Sequence, residues 1–572
     1  MIRAAVWVVW FVAAGLLVYG TGLDAPFVYD DASILDDRDI RRPLPPWDVV
    51  RASPNSAAAG RPIVHYSLAL NFALGGLDVW GYRVLNLVVH LVCTLVLFGV
   101  VRRTLSRAGG DGELGRASEG LAAAAAMLWM LHPLQTECVN FISQRSESLM
   151  ALFYLLTLYA SIRALDARRP RRWFAAAIVC CALGMASKEV MVTAPLVVPL
   201  YDAVFAGRSQ RRLLRERGAL YAGLAACWVV LAGLMATGPR ADSVGFSLGT
   251  SAFEYAKNQC VAVVDYLRLV FWPHPLIVDY GYPQPLSLGE VAPYAVTLAA
   301  LLAATLWALA RRPKIGFAAA WTFIILAPTS SFVPIVTEVA AERRMYLALA
   351  GPVVLGVVGV HALLGRIGAG RHARWIAVAL LLVAVTPLAW RSVLRNLDYA
   401  TTVTIWRSAV EARPGNPRAH GNLGKALQEA GRHDAAMAHY RRALELRPDY
   451  PEALNNMASL LLLREERLEA IELFRRAVQA KPNYANAHYN LARAYQYDQA
   501  FDQALVHYKE ALRWKPDHVK AHNNLGTVLG SMGKLEEAIE HFREAVRIEP
   551  GYAEARNNLA LALERARLTE TP

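Results

Sequence analysis

The stretch Ala4-Ala5-Val6-Trp7-Val8-Val9-Trp10-Phe11-Val12-Ala13-Ala14-Gly15-Leu16-Leu17-Val18-Tyr19-Gly20-Thr21-Gly22-Leu23, followed by Phe27-Val28-Tyr29-Asp30-Asp31, carries the first decision about the fold. An uncharged run of this length makes about 30 Å of helix, the thickness of a bilayer's hydrocarbon core. Arg3 flanks one end, and the other end meets two adjacent carboxylates. Such a pair either takes a proton from a hydroxyl nucleophile, or holds a metal ion, or caps the turn where the chain leaves the membrane. On this stretch alone capping is the better reading; the case for chemistry comes from the rest of the chain. The run has no small-residue cleavage site of the A-x-A type and further apolar runs follow it, so it reads as a retained anchor.

The same composition continues well beyond the first run. Of 572 residues 55% are apolar and 19% charged, outside the range of soluble chains. The apolar runs stop near residue 391, and charge-rich, helix-forming sequence replaces them. Two domains follow: a polytopic membrane part, 1–391, and a soluble part, 392–572. A net charge of +13 suggests nucleic acid at first sight. In the membrane part, however, the arginines collect in short loops between apolar runs, which is a signature of topology, so nucleic acid is discounted. Of six cysteines, Cys93, Cys180, Cys181 and Cys227 lie in or beside apolar runs without metal-ligand spacing, and none falls in the soluble part.

After the first run, candidate spans lie near 84–101, 120–132, 149–163, 173–187, 191–205, 219–236, 293–310, 315–333, 346–364 and 375–390, about eleven in all. With Arg3 cytoplasmic, every loop on that side is basic: Arg102-Arg103; Arg168-Arg169 with Arg171-Arg172; Arg208 with Arg211-Arg212; Arg311-Arg312 with Lys314; Arg366 with Arg371 and Arg374. The segment 255–272, with Lys257, Asp265 and Arg268 among apolar residues, reads as an interfacial or re-entrant helix. An odd span count then places the soluble part outside. On the same outer side fall Asp30, Asp31, Arg61 and His65; His132, Glu137, Arg145 and Glu147; the Lys188-Glu189 turn; and Glu338, Glu342, Arg343 and Arg344. Taken singly, each has a structural reading. Arg145 and Glu147 pair at a helix end, His132 caps before Pro133, and Lys188-Glu189 is a hairpin tip. The Arg343-Arg344 pair stands apart, because a double arginine outside runs against the bias of the other loops and calls for a local anion.

From about 396 onward the chain is periodic. Pro414, Pro448, Pro482, Pro516 and Pro550 recur at 34 residues, as do Asn422, Asn456, Asn490, Asn524 and Asn558, and the rings of Tyr440, Phe474, Tyr508 and Phe542 follow Ala436, Ala470, Ala504 and Ala538 by four. This pattern resembles the tetratricopeptide repeat, paired helices stacked into a superhelix with a concave groove. Four full repeats span 417–552, and 553–567 closes the stack. Such a groove receives a peptide or partner protein. The repeated asparagines either contact a ligand backbone in it or bond between helices, and acceptor contact by Asn422, Asn456, Asn490 and Asn524 is the expectation.

Several motifs add to this: Gly60-Arg61-Pro62, Leu74-Gly75-Gly76-Leu77 with Trp80-Gly81-Tyr82, His132-Pro133-Leu134-Gln135-Thr136-Glu137, Ser187-Lys188-Glu189, Tyr266-Leu267-Arg268-Leu269 with Trp272-Pro273, and Ala341-Glu342-Arg343-Arg344-Met345-Tyr346-Leu347. In this order, after the Phe27–Asp31 stretch and ahead of the repeats, they resemble the transmembrane and tetratricopeptide-repeat O-mannosyltransferase family, within the C-type (GT-C) glycosyltransferases. The resemblance implies an all-α fold: a polytopic membrane domain followed by an α-solenoid. It implies inverting transfer of a sugar, mannose or another hexose, from a polyprenyl or dolichyl phosphate carrier to a hydroxyl. The acceptor would be Ser or Thr of a protein held by the repeats. By the family pattern the acids of the first outer loop sit at the reaction centre, which maps to Asp30 and Asp31. The neighbouring Leu35-Asp36-Asp37-Arg38 adds carboxylates and leaves open which two converge.

Chemistry supplies the remaining roles. A hydroxyl is a poor nucleophile at neutral pH and calls for a carboxylate base. The leaving lipid phosphate gains negative charge and calls for fixed cations, for which Arg343 and Arg344 come first and Arg61 and Lys188 next. His132, Glu137, Arg145 and Glu342 complete the outer-face candidates. No cofactor is fixed by the sequence, and a divalent metal ion remains compatible with it. The alternative from another class is a non-catalytic membrane scaffold that recruits partners through the repeats. The excess of Arg over Lys fits a GC-rich bacterial genome and an inner membrane with the site facing the periplasm; an endoplasmic reticulum membrane would place the same site in the lumen.

Overall fold

The structure is a computed structural model and describes residues 2–28, 31, 34–35, 37, 39–41, 60–237, 251–331, 335 and 338–570. Two compact units divide at Ala412/Arg413. Both are helical, with no strand among the described residues.

The first unit comprises α1 (Ile2–Tyr19), α2 (Pro62–Gly75), α3 (Val79–Gly109), α4 (Glu113–Leu131), α5 (Thr136–Asn140), α6 (Arg145–Asp166), α7 (Pro170–Met185), α8 (Ala194–Phe205) and α9 (Gln210–Thr237). It continues with α10 (Ala252–Phe271), α11 (Leu288–Arg311), α12 (Pro313–Leu326), α13 (Met345–Ala348), α14 (Ala350–Arg366), α15 (Ala373–Asp398) and α16 (Thr402–Ala412). Five of these, α3, α6, α9, α11 and α15, are long and apolar enough to cross a membrane. A sixth crossing results if Glu342–Ala348 and Ala350–Arg366, bent by 52°, count as one. The chain is an integral membrane protein. The sequence count of about eleven is higher because several apolar runs fold as short helices: α8 has 12 residues and α12 has 14, only about 18–21 Å at 1.5 Å per residue.

The bend before α14 has a local cause. Pro352 has no N–H to offer Ala348, and its ring crowds that residue's carbonyl, so the helix breaks at Leu349 instead of running through 346–364. The segment read as interfacial is α10. It buries Tyr255, Asn258, Gln259, Ala262, Val263, Tyr266 and Leu269, one stripe of a 3.6-residue helix, and leaves Glu254, Asp265 and Arg268 off that stripe.

Polar side chains lock the apolar helices in register. Asn396 of α15 donates to Val18 O (2.7 Å) and accepts from Asn140 (2.8 Å), while Tyr19 donates to Met130 O (2.8 Å), so α1, α4, α5 and α15 meet through satisfied bonds. Arg217 of α9 meets Asp202 of α8 at 2.6 Å, both buried, and Tyr221 donates to the same carboxylate at 2.7 Å. In a water-poor interior such groups are stable only when paired, which fixes how the helices pack.

The second unit is four helix pairs and a closing helix: α17 (Pro417–Glu429) with α18 (His433–Leu446), α19 (Pro451–Leu463) with α20 (Arg467–Ala480), α21 (Ala485–Tyr497) with α22 (Phe501–Trp514), α23 (Val519–Ser531) with α24 (Leu535–Ile548), then α25 (Ala553–Glu570). The 34-residue period is therefore one helical hairpin. Ala436, Ala470, Ala504 and Ala538 are fully buried, as are the rings of Tyr440, Phe474 and Tyr508, and Phe542 nearly so. Small residues let the helices approach and the rings fill the remaining space. Each hairpin turns through one left-handed residue: Gly431, Glu465, Gln499 and Gly533, with φ of 73°, 65°, 58° and 78°. Glycine takes that conformation freely, whereas Glu465 and Gln499 do so under strain.

Candidate active site

An eleven-residue strip, Glu137 to Glu147, receives a side chain from every outer loop that the sequence singled out. It runs from α5 through a turn into the first residues of α6, where Arg145 N donates to Ile142 O at 3.0 Å and Glu147 N to Gln144 O at 2.9 Å. Two successive N–H groups of that turn clasp the first-loop acid: Ile142 N donates to Asp31 Oδ2 at 2.9 Å and Ser143 N to Oδ1 at 2.7 Å. Consecutive amides of this kind form a concave anion site. Asp31 is fully buried there, and burial raises its carboxyl above the ordinary range, with the two amides and Arg83 opposing. Asp30 lies outside the described residues.

At the start of the strip, Glu137 takes hold of Arg343. Arg343 donates its backbone N–H at 2.9 Å and Nη1 at 2.5 Å, and its Nη2 turns to Glu338. At the far end Glu147 pairs with Lys188 at 2.5 Å, both nearly buried. Arg61, set by the left-handed Gly60 (φ 65°) and Pro62 at the start of α2, reaches Ser146 Oγ at 3.4 Å and Glu189 at 3.9 Å. The two ion pairs share a neighbourhood. The buried Cys138 thiol is raised well above its usual value by burial and by Glu147 and Glu137, and lowered by Lys188 and Arg343. Burial by itself raises Glu338, and Arg343, Arg344 and Lys188 overcome it and hold that carboxyl below its ordinary value. Four cations, Arg61, Lys188, Arg343 and Arg344, thus face four carboxylates, Glu137, Glu147, Glu189 and Glu338. Glu338 is the one of them on Arg343 that water reaches, with 28% of its side chain exposed against 3% for Glu137.

The other candidates brace the site. Arg145 is buried and donates to Asn86 Oδ1 (2.7 Å), Asn71 Oδ1 (2.7 Å), Ser67 O (3.1 Å) and Tyr82 O (2.8 Å), tying α6 to α2 and α3 through neutral acceptors. Arg344 turns onto Glu338 O at 2.8 Å and Val339 O at 3.4 Å, holding the loop that carries Arg343. His132 uses both ring nitrogens, Nδ1 accepting from Leu134 N at 3.2 Å and Nε2 donating to Val270 O at 3.0 Å. Glu342 accepts from Ile277 N and from Tyr280 at 3.2 Å. Among the described residues no group of three His, Cys, Asp or Glu side chains gathers as a metal cluster. Sequence reasoning missed Asn71, Asn86 and Arg83, whose only sign was a polar residue inside an apolar helix. Arg83 donates to Gly22 O (3.0 Å) and Pro26 O (2.7 Å), anchoring the first loop behind Asp31.

Residues 57–235, which hold Arg61, the whole strip and Lys188, match the family described as dolichyl-phosphate-mannose-protein mannosyltransferase, and residues 417–450 and 483–549 match tetratricopeptide repeats. The protein O-mannosyl-transferase TMTC4 of Mus musculus is 26% identical over 489 residues, covering 74% of this chain and 64% of its own length. The chain is similar to the TMTC protein O-mannosyl-transferases over about three quarters of its length. Tmtc2 of Drosophila melanogaster is 28% identical over 298 residues, 48% of this chain and 30% of its own length, and TMTC2 of Mus musculus is 30% identical over 203 residues, 33% and 23%. The chain spans about two thirds or less of the curated relatives it matches.

In the repeats the asparagines take part in bonds between helices. Asn490 donates to Asn455 of the preceding repeat at 2.9 Å and Asn524 to Tyr489 at 3.3 Å, while Asn456 accepts from its neighbour Asn455 within α19 at 3.1 Å. Asn422, Asn456, Asn490 and Asn524 all remain half-exposed.

Proposed function

We propose that this chain is a membrane glycosyltransferase that moves mannose or another hexose from a polyprenyl or dolichyl phosphate to a Ser or Thr hydroxyl. In this reading the repeats present a protein acceptor and the reaction takes place on the outer face, the periplasmic side of a bacterial inner membrane. The observation that carries the reading is the convergence of Asp31, Arg61, Lys188 and Arg343 on the single strip 137–147.

The reaction is an inverting displacement. The hydroxyl oxygen attacks the sugar's anomeric carbon from the face opposite the phosphate, the carbon–oxygen bond to the phosphate breaks with its electron pair, and the hydroxyl proton passes to a carboxylate. Asp30 or Asp31 is the base in this proposal. Each oxygen of Asp31 accepts one amide, and the Ser143 hydroxyl adds a bond to the same carboxylate. The leaving phosphate gains a charge as the bond breaks, and cations already fixed at that point stabilise the transition state more than the ground state. Arg343, Lys188 and Arg61 fill this role, and the part-exposed Glu338 is the partner that the phosphate displaces from Arg343. Arg344 and Arg145 act as positioning residues. Tethering an acceptor protein to the repeats raises the local concentration of its hydroxyl.

The test is transfer from a polyprenyl-phosphate mannose to a Ser/Thr peptide by purified protein. Loss of transfer in the Asp30→Asn, Asp31→Asn double variant is expected, and undiminished transfer removes the proposed base. A scaffold acting only through its repeats gives no transfer with any donor.

A further inference from the structure

At the opposite end of α3 from the strip lies a cavity of about 510 Å³ with a different chemistry. Asn86, beside Arg145, and Thr104, on the cavity wall, are 18 residues apart on one helix, about 27 Å at 1.5 Å per residue. The walls come from α3, α12 and α14, and they are carbon: Leu97, Val101, Phe317, Val354 and their neighbours. The polar wall atoms satisfy each other. Thr104 Oγ1 donates to Val100 O at 2.8 Å and so accepts from Tyr201 OH at 3.0 Å, leaving no hydroxyl proton for a ligand. Polar recognition is therefore confined to the rim, where Arg311, Arg312 and Lys314 stand exposed at the turn between α11 and α12. Among the described residues none of the three is in an ion pair, and Lys314 is seated by a 2.7 Å bond to Ala108 O at the end of α3.

We propose that this groove binds an anionic two-chain phospholipid, its phosphate on Arg311, Arg312 and Lys314 and an acyl chain along α12 and α14. Charge complementarity selects the headgroup, since three cations at one turn attract a phosphate and have no matching anion among the described residues. The geometry fits the chain. From Pro313 to Trp321 the groove follows eight residues of α12, about 12 Å of apolar wall, and its volume is that of a formed ligand site rather than a surface dent. It is shaped by a close approach: a Cβ at Gly351 would stand 2.4 Å from Ala318 O, so only glycine lets α14 lie against α12 here. The rim belongs to the basic-loop end of the bundle, the end that meets the anionic leaflet. This site is independent of the transfer reaction proposed above.

Native mass spectrometry of the full chain, released from mixed micelles of phosphatidylglycerol, phosphatidylcholine and polyprenyl phosphate, tests the proposal. Phosphatidylglycerol is expected to be retained over phosphatidylcholine. The Arg311→Gln, Arg312→Gln, Lys314→Gln variant alters exposed side chains only and is expected to weaken that preference roughly a hundredfold, each basic group contributing about fivefold. Val354→Trp fills the groove without touching the charges and is expected to expel the lipid. Equal retention of the two phospholipids, an unchanged preference in the triple variant, or polyprenyl phosphate as the species that Val354→Trp expels would each overturn it.

Discussion

Replacing Glu137 with Gln turns one oxygen into an NH2 and removes one charge, and its cost follows from the strip's geometry. Glu137 accepts two bonds from Arg343, one from the backbone N–H at 2.9 Å and one from Nη1 at 2.5 Å, with 3% of its side chain exposed. A glutamine keeps one oxygen for Nη1 but sets an NH2 against the Arg343 N–H, donor against donor. It also leaves the guanidinium with Glu338 as its remaining carboxylate in the pair network. Removing one partner of a buried pair costs about 3–5 kcal/mol, and the retained bond restores roughly 1 kcal/mol of that, so a loss of about 2–4 kcal/mol is expected. If Arg343 is held by Glu137 for the departing phosphate, that loss appears in transfer as a fall of about thirty- to a thousandfold. The assay is a double-mutant cycle of Glu137→Gln and Arg343→Met, read both as mannose transfer to a peptide and as thermal stability in detergent. A coupling of about 2 kcal/mol or more in transfer supports the reasoning. Additive effects, or a Glu137→Gln protein that transfers at the wild-type rate, refute it.

Four other outcomes follow from the same structure. Asp31→Asn turns an NH2 toward Ile142 N or Ser143 N and is expected to abolish transfer while lowering stability by about 1.5–3 kcal/mol, measured by denaturation alongside activity. Glu465→Gly and Gln499→Gly relieve left-handed strain at the hairpin turns and are each expected to stabilise the repeats by about 0.5–1 kcal/mol, seen as a higher melting temperature. His488 and His507 meet Nδ1 to Nδ1 at 3.1 Å, and burial, with His488 and Arg475 adding, pushes His507 down to about 4. The folded repeats then bind fewer protons than the unfolded chain, so stability is full above about pH 6.5 and falls by on the order of 2–3 kcal/mol toward pH 4; a His488→Leu, His507→Leu variant is expected to flatten that profile. Asp202→Asn opens the buried pair between α8 and α9 and is expected to cost about 3–5 kcal/mol, read as a lower unfolding temperature in detergent.

Much of the fold was legible because its signals are periodic. The recurrence of proline, alanine and aromatic residues at 34 gave the helical hairpins, and the same period holds a signal that went unread. His420, His488 and His522 face His439, His507 and His541 at 3.0–3.1 Å, while the second repeat has Leu454 and Leu473 in those places. A pair of apolar residues standing in for a pair of histidines is the mark of a buried contact, visible once the repeats are aligned. Apolar run length was less informative about helix ends. The run at 191–205 opens with a tight 3-10 turn, Glu189–Thr193, before α8 begins, and hydropathy carries no trace of that change. In the candidate site Arg343 and Arg344 were legible, since a double arginine on the outer side runs against the bias of the other loops. The amides of Ile142 and Ser143 were not, because every residue has an amide and only the turn ahead of α6 aims two of them at one carboxylate.

Mannose transfer by purified protein, measured against the state of Arg343, tests the central claim most directly. The account predicts transfer from polyprenyl-phosphate mannose to a Ser/Thr peptide, reduced at least a hundredfold, about 2.7 kcal/mol, by Arg343→Met. Transfer that proceeds equally well without the Arg343 guanidinium, in a variant that remains folded, would contradict it.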